Sequence, residues 1–240
     1  MAKLEARKKR IGSLDVLQVE GDASAATVIL FHGFGADMAD LASLAGVIQA
    51  KKGTNWIFPN GHLKVAIGPH QEGRAWFPIS IAELEKSAAQ NEPLDWSVSI
   101  PPGMKKARQA VLHMIQELKV PSERLILGGF SQGGMIATDV ALHMETPPAG
   151  LAVLSGTLIN GTEWQELALK LAAHFSSQGK QFSFFQSHGT RDQILSVVMA
   201  EKLEKLFLNA KWKGHLLKFQ GGHEIPPEVI IQLGAYLRSC

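Results

Sequence analysis

The sequence predicts an α/β fold in which a mostly parallel central sheet carries helices on both faces. Short apolar runs of strand length alternate with segments whose apolar residues recur at helical spacing. The runs show little polar alternation, which is typical of strands that are buried on both faces. The chain has 240 residues, of which 45% are hydrophobic and 19% charged, so residues 1–240 are expected to form a single domain.

The predicted strands begin with one run that no helix follows. This run, Leu14–Val19, therefore predicts an antiparallel start to the sheet. The alternating series that comes next predicts strands at Thr27–Phe31, 56–58, 125–128, 151–154, 182–185 and 216–219. Apolar positions three to four residues apart predict helices around 104–118, 135–144, 199–207 and 229–237.

One long segment does not follow this alternation. Residues 59–102 contain several glycines and prolines and show weak periodicity, with only a short helix indicated near 81–89. A segment of this length without clear elements is more often functional than idle. It is therefore a candidate wall over a functional site.

Charge and cysteine content exclude several classes of function. The formal net charge of +2 does not predict nucleic-acid binding, and the basic residues within 1–12 are expected to form a flexible, solvated segment. A single cysteine, Cys240, allows neither a disulfide framework nor a thiolate metal site. There is no signal-peptide pattern and no apolar run of about 18 residues. The sequence thus predicts a cytoplasmic protein with no integral membrane segment.

A serine in a glycine-rich turn is the predicted nucleophile. The turn follows the predicted strand at 125–128, precedes a predicted helix and fits the pattern G-x-S-x-G. It reads Gly129-Phe130-Ser131-Gln132-Gly133. Such a turn is so sharp that its flanking glycines leave no room for a Cβ. The competing interpretation is that Ser131 only caps the helix that follows.

Two later loops contain the partners that a serine nucleophile needs. A serine hydroxyl becomes reactive when an imidazole accepts its proton, and a carboxylate orients that imidazole. Asp192 follows the strand at 182–185, and His223 follows the strand at 216–219. The order serine, acid, histidine is the one found after a nucleophile elbow of this kind. We therefore predict His223 as the general base and Asp192 as its orienting acid.

Other titratable residues fit these two roles less well. Asp139 lies two turns into the helix after the serine, and Glu224 is adjacent in sequence to His223 and so points away from it. His188 lies near Asp192 but precedes it, which breaks the expected order. These three residues are therefore not assigned to the triad.

An early loop predicts the second half of an oxyanion hole. Such a hole is formed by backbone N–H groups aimed at the oxygen of a tetrahedral intermediate. One donor is expected from Gln132, which follows the serine, and the other from Phe34 in the Gly33-Phe34-Gly35 loop after Thr27–Phe31. A strand followed by G-x-G also begins a dinucleotide fingerprint, but Met38 stands where its third glycine belongs.

Six blocks of sequence, taken in order, resemble the phospholipase/carboxylesterase family, which includes acyl-protein thioesterases and small bacterial carboxylesterases. The blocks are His32-Gly33-Phe34-Gly35-Ala36-Asp37, Phe58-Pro59-Asn60, Ala75-Trp76-Phe77, Gly129-Phe130-Ser131-Gln132-Gly133-Gly134, Ser187-His188-Gly189-Thr190-Arg191-Asp192 and Gly222-His223. The resemblance implies an α/β-hydrolase fold with no metal and no cofactor. It also implies hydrolysis of esters, lysophospholipids or acyl thioesters by a triad at the matching serine, aspartate and histidine.

From these observations we expect a serine carboxylesterase that hydrolyses short-to-medium acyl esters through an acyl-enzyme on Ser131. Trp76, Phe77 and Ile194, together with Phe34, are expected to line the acyl pocket. Family members usually have proline directly after the triad aspartate, which this chain lacks, so acyl preference stays open. The expected partner is a small-molecule acyl ester or thioester, and a homodimer is left open.

Three alternatives remain. The same triad would serve an acyl-protein thioesterase or a lysophospholipase. A hydrolase-fold binding protein without catalysis is the second alternative, and a nicotinamide-dependent oxidoreductase is the third. Turnover of an activated ester and binding of NADH distinguish the last two from an esterase.

Overall fold

An eight-stranded sheet organises the molecule in the computed structural model, which describes residues 5–80, 82 and 95–240. The strands of this sheet are β1 Ala6–Ile11, β2 Leu14–Val19, β3 Thr27–Phe31, β4 Asn55–Pro59, β7 Leu125–Phe130, β8 Gly150–Leu154, β9 Ser183–Gly189 and β10 Lys213–Phe219. Two further strands, β5 Leu63–Gly68 and β6 Gln71–Ala75, pair with each other outside it. The helices are α1 Leu44–Val47, α2 Met104–Leu118, α3 Gln132–His143, α4 Gly161–Ser176, α5 Val197–Asn209 and α6 Pro227–Ser239, and a 3-10 turn covers Ser122–Arg124.

The pairing of the strands brings four loops to one edge of the sheet. The strand order is β1-β2-β4-β3-β7-β8-β9-β10. Within this order the neighbouring pairs β4–β3, β3–β7, β7–β8, β8–β9 and β9–β10 are parallel, whereas β1–β2 and β2–β4 are antiparallel. The prediction of a mostly parallel sheet with an antiparallel start is therefore confirmed. Because parallel strands share a direction, the loops after β3, β7, β9 and β10 all leave from the same edge.

Two apolar clusters cover the two faces of the sheet. On one face α2, α3, α4 and α5 bury residues such as Met114, Met135 and Trp164. On the other face α1 and α6 bury Leu44 and Leu233. Helices on both faces are thus confirmed, and fully burying each such side chain stabilises the fold by about 1.5–3 kcal/mol.

Local sequence fixes where the last two helices begin. Ser196 caps α5, since its side-chain oxygen accepts a hydrogen bond from the N–H of Val198 at 3.2 Å. Pro227 occupies the first position of α6, where its missing N–H costs nothing. These starts anchor the loops that follow β9 and β10.

The basic N-terminal segment is a correction to the prediction. Residues 6–11 are not a flexible tail, because they form the edge strand β1, paired with β2 along its full length. Their cations also find partners across the ladder: Lys9 lies 2.7 Å from Glu20, and Arg10 lies 3.1 Å from Asp15. Exposed lysine and arginine on an edge strand discourage pairing with another chain.

The structure adds elements that the sequence did not predict. Within the segment 59–102, β5 and β6 form a separate antiparallel hairpin. Helix α4 was not predicted either, although Trp164, Ala168 and Leu171 form its buried face. The short helix indicated near 81–89 lies largely outside the described residues. In the part of the chain that is described, no helix combines the length and apolarity needed to cross a membrane.

Candidate active site

Ser131 lies on a sharp turn between β7 and α3, with backbone angles φ 55° and ψ −121°. A non-glycine residue rarely adopts this conformation, and holding it costs about 1–3 kcal/mol. The turn depends on glycine, because a Cβ on Gly133 would lie 1.9 Å from the carbonyl oxygen of Phe31. The N–H of Ser131 donates to the carbonyl of Leu154 at 2.8 Å, which ties the turn to β8. The predicted strand–turn–helix setting of Ser131 is therefore present.

Asp192 and His223 are in direct contact although they are far apart in sequence. His223 Nδ1 lies 2.7 Å from Asp192 Oδ2. The side chain of Asp192 is fully buried, whereas that of His223 keeps 13% of its surface exposed. Burial by itself raises the pKa of Asp192, but hydrogen bonds from His188 and His223 outweigh it and hold the pKa well below its usual range. The pair is thus an ionised carboxylate beside an imidazole that solvent can reach.

The loops after β9 and β10 are joined by backbone hydrogen bonds. The N–H of Thr190 donates to the carbonyl of Phe219, and that of Arg191 donates to the carbonyl of Gly221, both at 2.9 Å. These bonds hold the loop that contains His223 against the loop that contains Asp192, at the same edge of the sheet. Its ring packs against that of Phe130, with centroids 4.7 Å apart. Because Phe130 immediately precedes Ser131, the imidazole lies next to the turn at Ser131.

The loop after β3 approaches the same turn. A Cβ added to Gly33 would lie 3.5 Å from the Cβ of Ser131. His32 fixes this loop from inside, since its Nδ1 lies 2.7 Å from the carbonyl oxygen of Gly33 and its Nε2 accepts from the N–H of Gly61 at 2.9 Å. In a trans peptide the N–H points opposite to the carbonyl. The N–H of Phe34 therefore points away from His32.

His32 is a neutral imidazole in this position. Burial lowers the pKa of His32 to about 4, and the ring lies almost wholly inside the protein. Its two contacts require one tautomer, in which Nδ1 carries the proton and Nε2 is free to accept. A neutral ring therefore holds the backbone at Gly33 over the whole physiological pH range.

The hairpin of β5 and β6 covers the outer side of this loop. The N–H of Gly35 donates to the carbonyl of Arg74, and the N–H of Arg74 donates to the carbonyl of Ala36, both at 2.8 Å. Gly73 permits the close approach, because a Cβ there would lie 1.9 Å from the carbonyl oxygen of Gly35. The hairpin, which lies within the segment 59–102, thus packs against the loop after β3, and the role of that segment as a wall over the site stays a prediction.

Two of the predicted pocket residues are corrected by the structure. Trp76 and Phe77 have no exposed surface and belong to the core cluster. The indole of Trp76 donates to the carbonyl of His32 at 2.9 Å and meets the ring of Phe31 edge-on. Their aromatic area stabilises the interior below the loop and does not form an open acyl wall. Ile194, by contrast, is 52% exposed two residues after Asp192, and its place at the pocket rim stays a prediction.

Gln132 has a second role that the sequence did not indicate. Its side chain is fully buried and bridges the backbone of two neighbours. Oε1 accepts from the N–H of Trp76 at 2.9 Å, and Nε2 donates to the carbonyl of Phe77 at 2.8 Å. The first residue of α3 therefore clamps the segment after β6. No sequence motif distinguishes this clamp from an exposed glutamine.

Replacing Gln132 by methionine is expected to lower the free energy of unfolding by about 2–4 kcal/mol, because two buried backbone groups lose their partners. Methionine keeps the volume, so the loss reports the hydrogen bonds rather than a cavity. Urea denaturation measures the change. The matched control, Gln178→Met in the exposed turn after α4, should alter stability by less than about 0.5 kcal/mol. Equal stabilities of the two variants would contradict the clamp.

Residues weighed against the triad take other positions. Asp139 is fully buried and paired with Arg108 at 3.0 Å, and Glu224 accepts from the N–H of Gly222 at 3.2 Å. Within residues 5–80, 82 and 95–240, no three His, Cys, Asp or Glu side chains are placed to hold a metal ion. His188 is the exception among the rejected residues, because its Nε2 lies 3.3 Å from Asp192 Oδ2.

Known proteins are similar to this chain in sequence or in architecture. The chain is 28% identical to acyl-protein thioesterase 1 of Mycosarcoma maydis over 225 aligned residues. The aligned region covers 89% of this chain and 90% of that protein. Esterase PE8 superposes with a TM-score of 0.72 at 23% identity, over 92% of this chain and 96% of that one. A Bacillus cereus carboxylesterase superposes with a TM-score of 0.65 at 18% identity, over 94% of both chains. These two structures have the α/β-hydrolase fold in common with the protein.

The sequence pattern of the Phospholipase/Carboxylesterase family matches residues 14–240. This range contains the turn at Ser131, the Asp192–His223 pair and the loop at Gly33. It also confirms the resemblance carried by the six blocks of sequence. The protein therefore belongs to the phospholipase/carboxylesterase family.

Proposed function

We propose that the protein is a serine hydrolase that cleaves acyl esters or acyl thioesters, with Ser131, Asp192 and His223 as its catalytic triad. The observation that carries the proposal is the 2.7 Å contact between His223 and a buried, ionised Asp192, beside the strained turn of Ser131. A buried carboxylate that holds an accessible imidazole is the arrangement a serine nucleophile needs. A helix cap alone would require neither the strain nor the pair.

The proposed reaction has two halves. Ser131 Oγ attacks the acyl carbonyl carbon while His223 Nε2 accepts the hydroxyl proton, and Asp192 holds the imidazolium through Nδ1. His223 then donates that proton to the departing alcohol or thiol, which leaves an acyl ester on Ser131. In the second half His223 takes a proton from water, the hydroxide attacks the acyl carbon, and Ser131 regains its proton from His223.

Two backbone donors are proposed to hold the oxyanion. The N–H of Gln132 lies at the start of α3, where the helix dipole also favours negative charge. The N–H of Phe34 is directed away from the anchored carbonyl of Gly33, on a loop that passes close to Ser131. Each donor of this type contributes about 2.7–4 kcal/mol to the stability of the transition state.

The main proposal for the substrate is a short-to-medium acyl oxygen ester. A thioester is the second candidate, and it is favoured by the 28% identity to an acyl-protein thioesterase over nine-tenths of the chain. Both leaving groups use the same triad. Exposed Ile194 is the residue proposed to contact the acyl chain. We also propose a cytoplasmic location. The sequence leaves a homodimer open, and analytical sedimentation of the purified protein tests whether one forms.

A fluorophosphonate probe is expected to label Ser131 and to abolish turnover of p-nitrophenyl acetate, because only an activated serine reacts with it. Peptide mass spectrometry locates the adduct. Ser131→Ala should remove the label, and Ser176→Ala, at the exposed end of α4, should retain it. Labelling elsewhere, or no turnover of any activated ester by folded protein, would favour a binding protein instead. A chain-length series of matched oxygen esters and thioesters then identifies the preferred acyl group.

A further inference from the structure

Two imidazoles share one oxygen of the triad carboxylate. His223 Nδ1 lies 2.7 Å from Asp192 Oδ2, and His188 Nε2 lies 3.3 Å from the same atom. The side chain of His188 is fully buried, so it has no access to solvent or substrate. The reaction proposed above uses only His223. His188 is therefore a buried titratable group in contact with the triad but without a place in the mechanism.

The contacts of His188 define its tautomer. Its Nε2 lies 2.7 Å from the carbonyl oxygen of Leu195, which can only accept a hydrogen bond. Nε2 must therefore carry a proton. Its Nδ1 is buried and has no hydrogen-bond partner among the described residues. A proton on Nδ1 would be a buried donor without a partner among the described residues, so these contacts favour the tautomer with the proton on Nε2.

His188 and the loop after β9 together enclose the carboxylate. Asp192 Oδ1 accepts from the N–H groups of Ile194 and Leu195, both at 2.9 Å. The carbonyl of Leu195 accepts from the same His188 nitrogen that approaches Oδ2. Asp192 thus faces two backbone donors on one oxygen and two imidazoles on the other. Rotation of the carboxylate would break contacts on both sides.

We propose that His188 is a positioning residue that acts through Asp192, an inference that rests on the proposed role of His223 as the base. Its Nε2–H, which donates to the carbonyl of Leu195, also approaches Oδ2 at 3.3 Å beside His223. This second contact fixes the orientation of the carboxylate and limits how strongly that oxygen binds the His223 imidazolium. A carboxylate free of the second donor would rotate more freely and would also hold the imidazolium too firmly to release its proton efficiently.

Among the described residues, the charged groups next to this cluster in sequence or in strand register are exposed and have other partners. Lys218, which pairs in register with His188 on β10, forms an ion pair at 3.0 Å with Glu201 of α5. Arg191 approaches the carbonyl of Gln220 at 3.5 Å. Beside His223, Glu224 accepts from the N–H of Gly222. A change in pH dependence on altering His188 can therefore be attributed to Asp192 and His223.

Three substitutions of His188 separate a positioning role from simple packing. His188→Leu keeps much of the volume and removes the donor. His188→Gln carries an amide N–H the same number of bonds from Cβ as Nε2, so it can still reach Oδ2. His188→Asn is equally polar, but its amide ends one bond short. The p-nitrophenyl acetate reaction and its pH profile are measured for each variant, with unfolding curves to verify folding.

In His188→Leu, kcat is expected to fall about 10- to 100-fold at nearly constant KM, by analogy with the loss of an outer hydrogen-bond partner of a metal-bound histidine. The acid limb of the kcat/KM profile should move to higher pH by about half a unit. His188→Gln should restore both, and His188→Asn should not. A His188→Leu variant that folds with wild-type kcat and acid limb would overturn the proposal. If His188→Leu does not fold, equal kcat values and equal acid limbs in His188→Gln and His188→Asn would overturn the proposal instead.

A readout independent of hydrolysis distinguishes failure of this inference from failure of the proposed function. The proton between His223 and Asp192 gives a low-field proton NMR resonance that His223→Gln should abolish. Loss of the second donor in His188→Leu strengthens the remaining hydrogen bond, so this resonance should move further downfield. An unchanged resonance in folded His188→Leu overturns the positioning role, even if no ester is turned over.

Discussion

Replacing Ser131 by glycine is expected to abolish ester hydrolysis and, at the same time, to raise the free energy of unfolding by about 1 kcal/mol. The backbone of Ser131, at φ 55° and ψ −121°, costs about 1–3 kcal/mol for a residue with a Cβ. Glycine adopts this conformation freely, although its more flexible unfolded chain offsets part of the gain. The prediction links function and stability, because the strain that exposes the hydroxyl is stored in the folded state.

Ser131→Ala separates the two effects. Alanine retains the Cβ and hence the strain, so its stability should match the wild type, while kcat should fall by about 10⁵- to 10⁶-fold. Urea denaturation and p-nitrophenyl acetate turnover measure both quantities. Ser176→Gly, the same substitution at the last residue of helix α4, relieves no left-handed backbone and so should not raise stability. A Ser131→Gly protein less stable than Ser131→Ala would contradict the strain, and near-normal kcat in either would remove Ser131 from the mechanism.

The parts of the site that the sequence could predict are those fixed by topology. In a parallel sheet every loop after a strand leaves from the same edge, so Asp192 and His223 could be placed together from strand order alone. Ser131 could be placed from its glycines, since a sharp turn between strand and helix excludes a Cβ at Gly133. Both inferences need only the backbone. The catalytic roles of these residues remain the proposal that the experiments above address.

The parts that the sequence could not predict depend on where side chains point. Trp76 and Phe77 fit a pocket wall and a core equally well by composition, and only the packing under β3 shows that both are buried. Gln132 follows the serine as a backbone donor, but its buried amide clamp depends on the position of the segment after β6. His188 was set aside because it precedes Asp192 in sequence, yet the loop folds back so that both meet.

The edge strand β1 was missed for an energetic reason. Its run of basic residues has no apolar alternation, because an exposed edge strand buries almost nothing. What holds it is the backbone ladder to β2 together with ion pairs such as Lys9–Glu20, and these contacts are visible only once the two strands are paired. Hydrophobic periodicity predicts strands and helices that bury one face, but it cannot predict an exposed strand that buries none.

Replacing Asp192 by asparagine is expected to lower kcat by about 10⁴-fold and also to destabilise the fold. Four nitrogens surround the carboxylate. The N–H groups of Ile194 and Leu195 donate to Oδ1, His223 Nδ1 lies 2.7 Å from Oδ2, and His188 Nε2 approaches Oδ2 at 3.3 Å while it donates to the carbonyl of Leu195. An asparagine amide can accept at one position only, so its NH₂ must face two donors in either orientation. If NH₂ faces His223, that ring must present an unprotonated Nδ1, and Nε2 can no longer accept the serine proton.

The stability loss should depend on pH in a defined direction. Because the pKa of Asp192 is lowered in the folded protein, its ionised form contributes stability that is fully present above the unfolded-state pKa of about 3.9 and is lost as the pH falls below that value. Asparagine has no such contribution. The difference in unfolding free energy between wild type and Asp192→Asn should thus be largest near neutral pH and should shrink below about pH 4. Asp22→Asn, at an exposed turn, should change neither kcat nor this dependence. A constant difference across the acid range would mean that Asp192 is not held as a buried anion, and His223 would then lack the charge that makes it a base for Ser131.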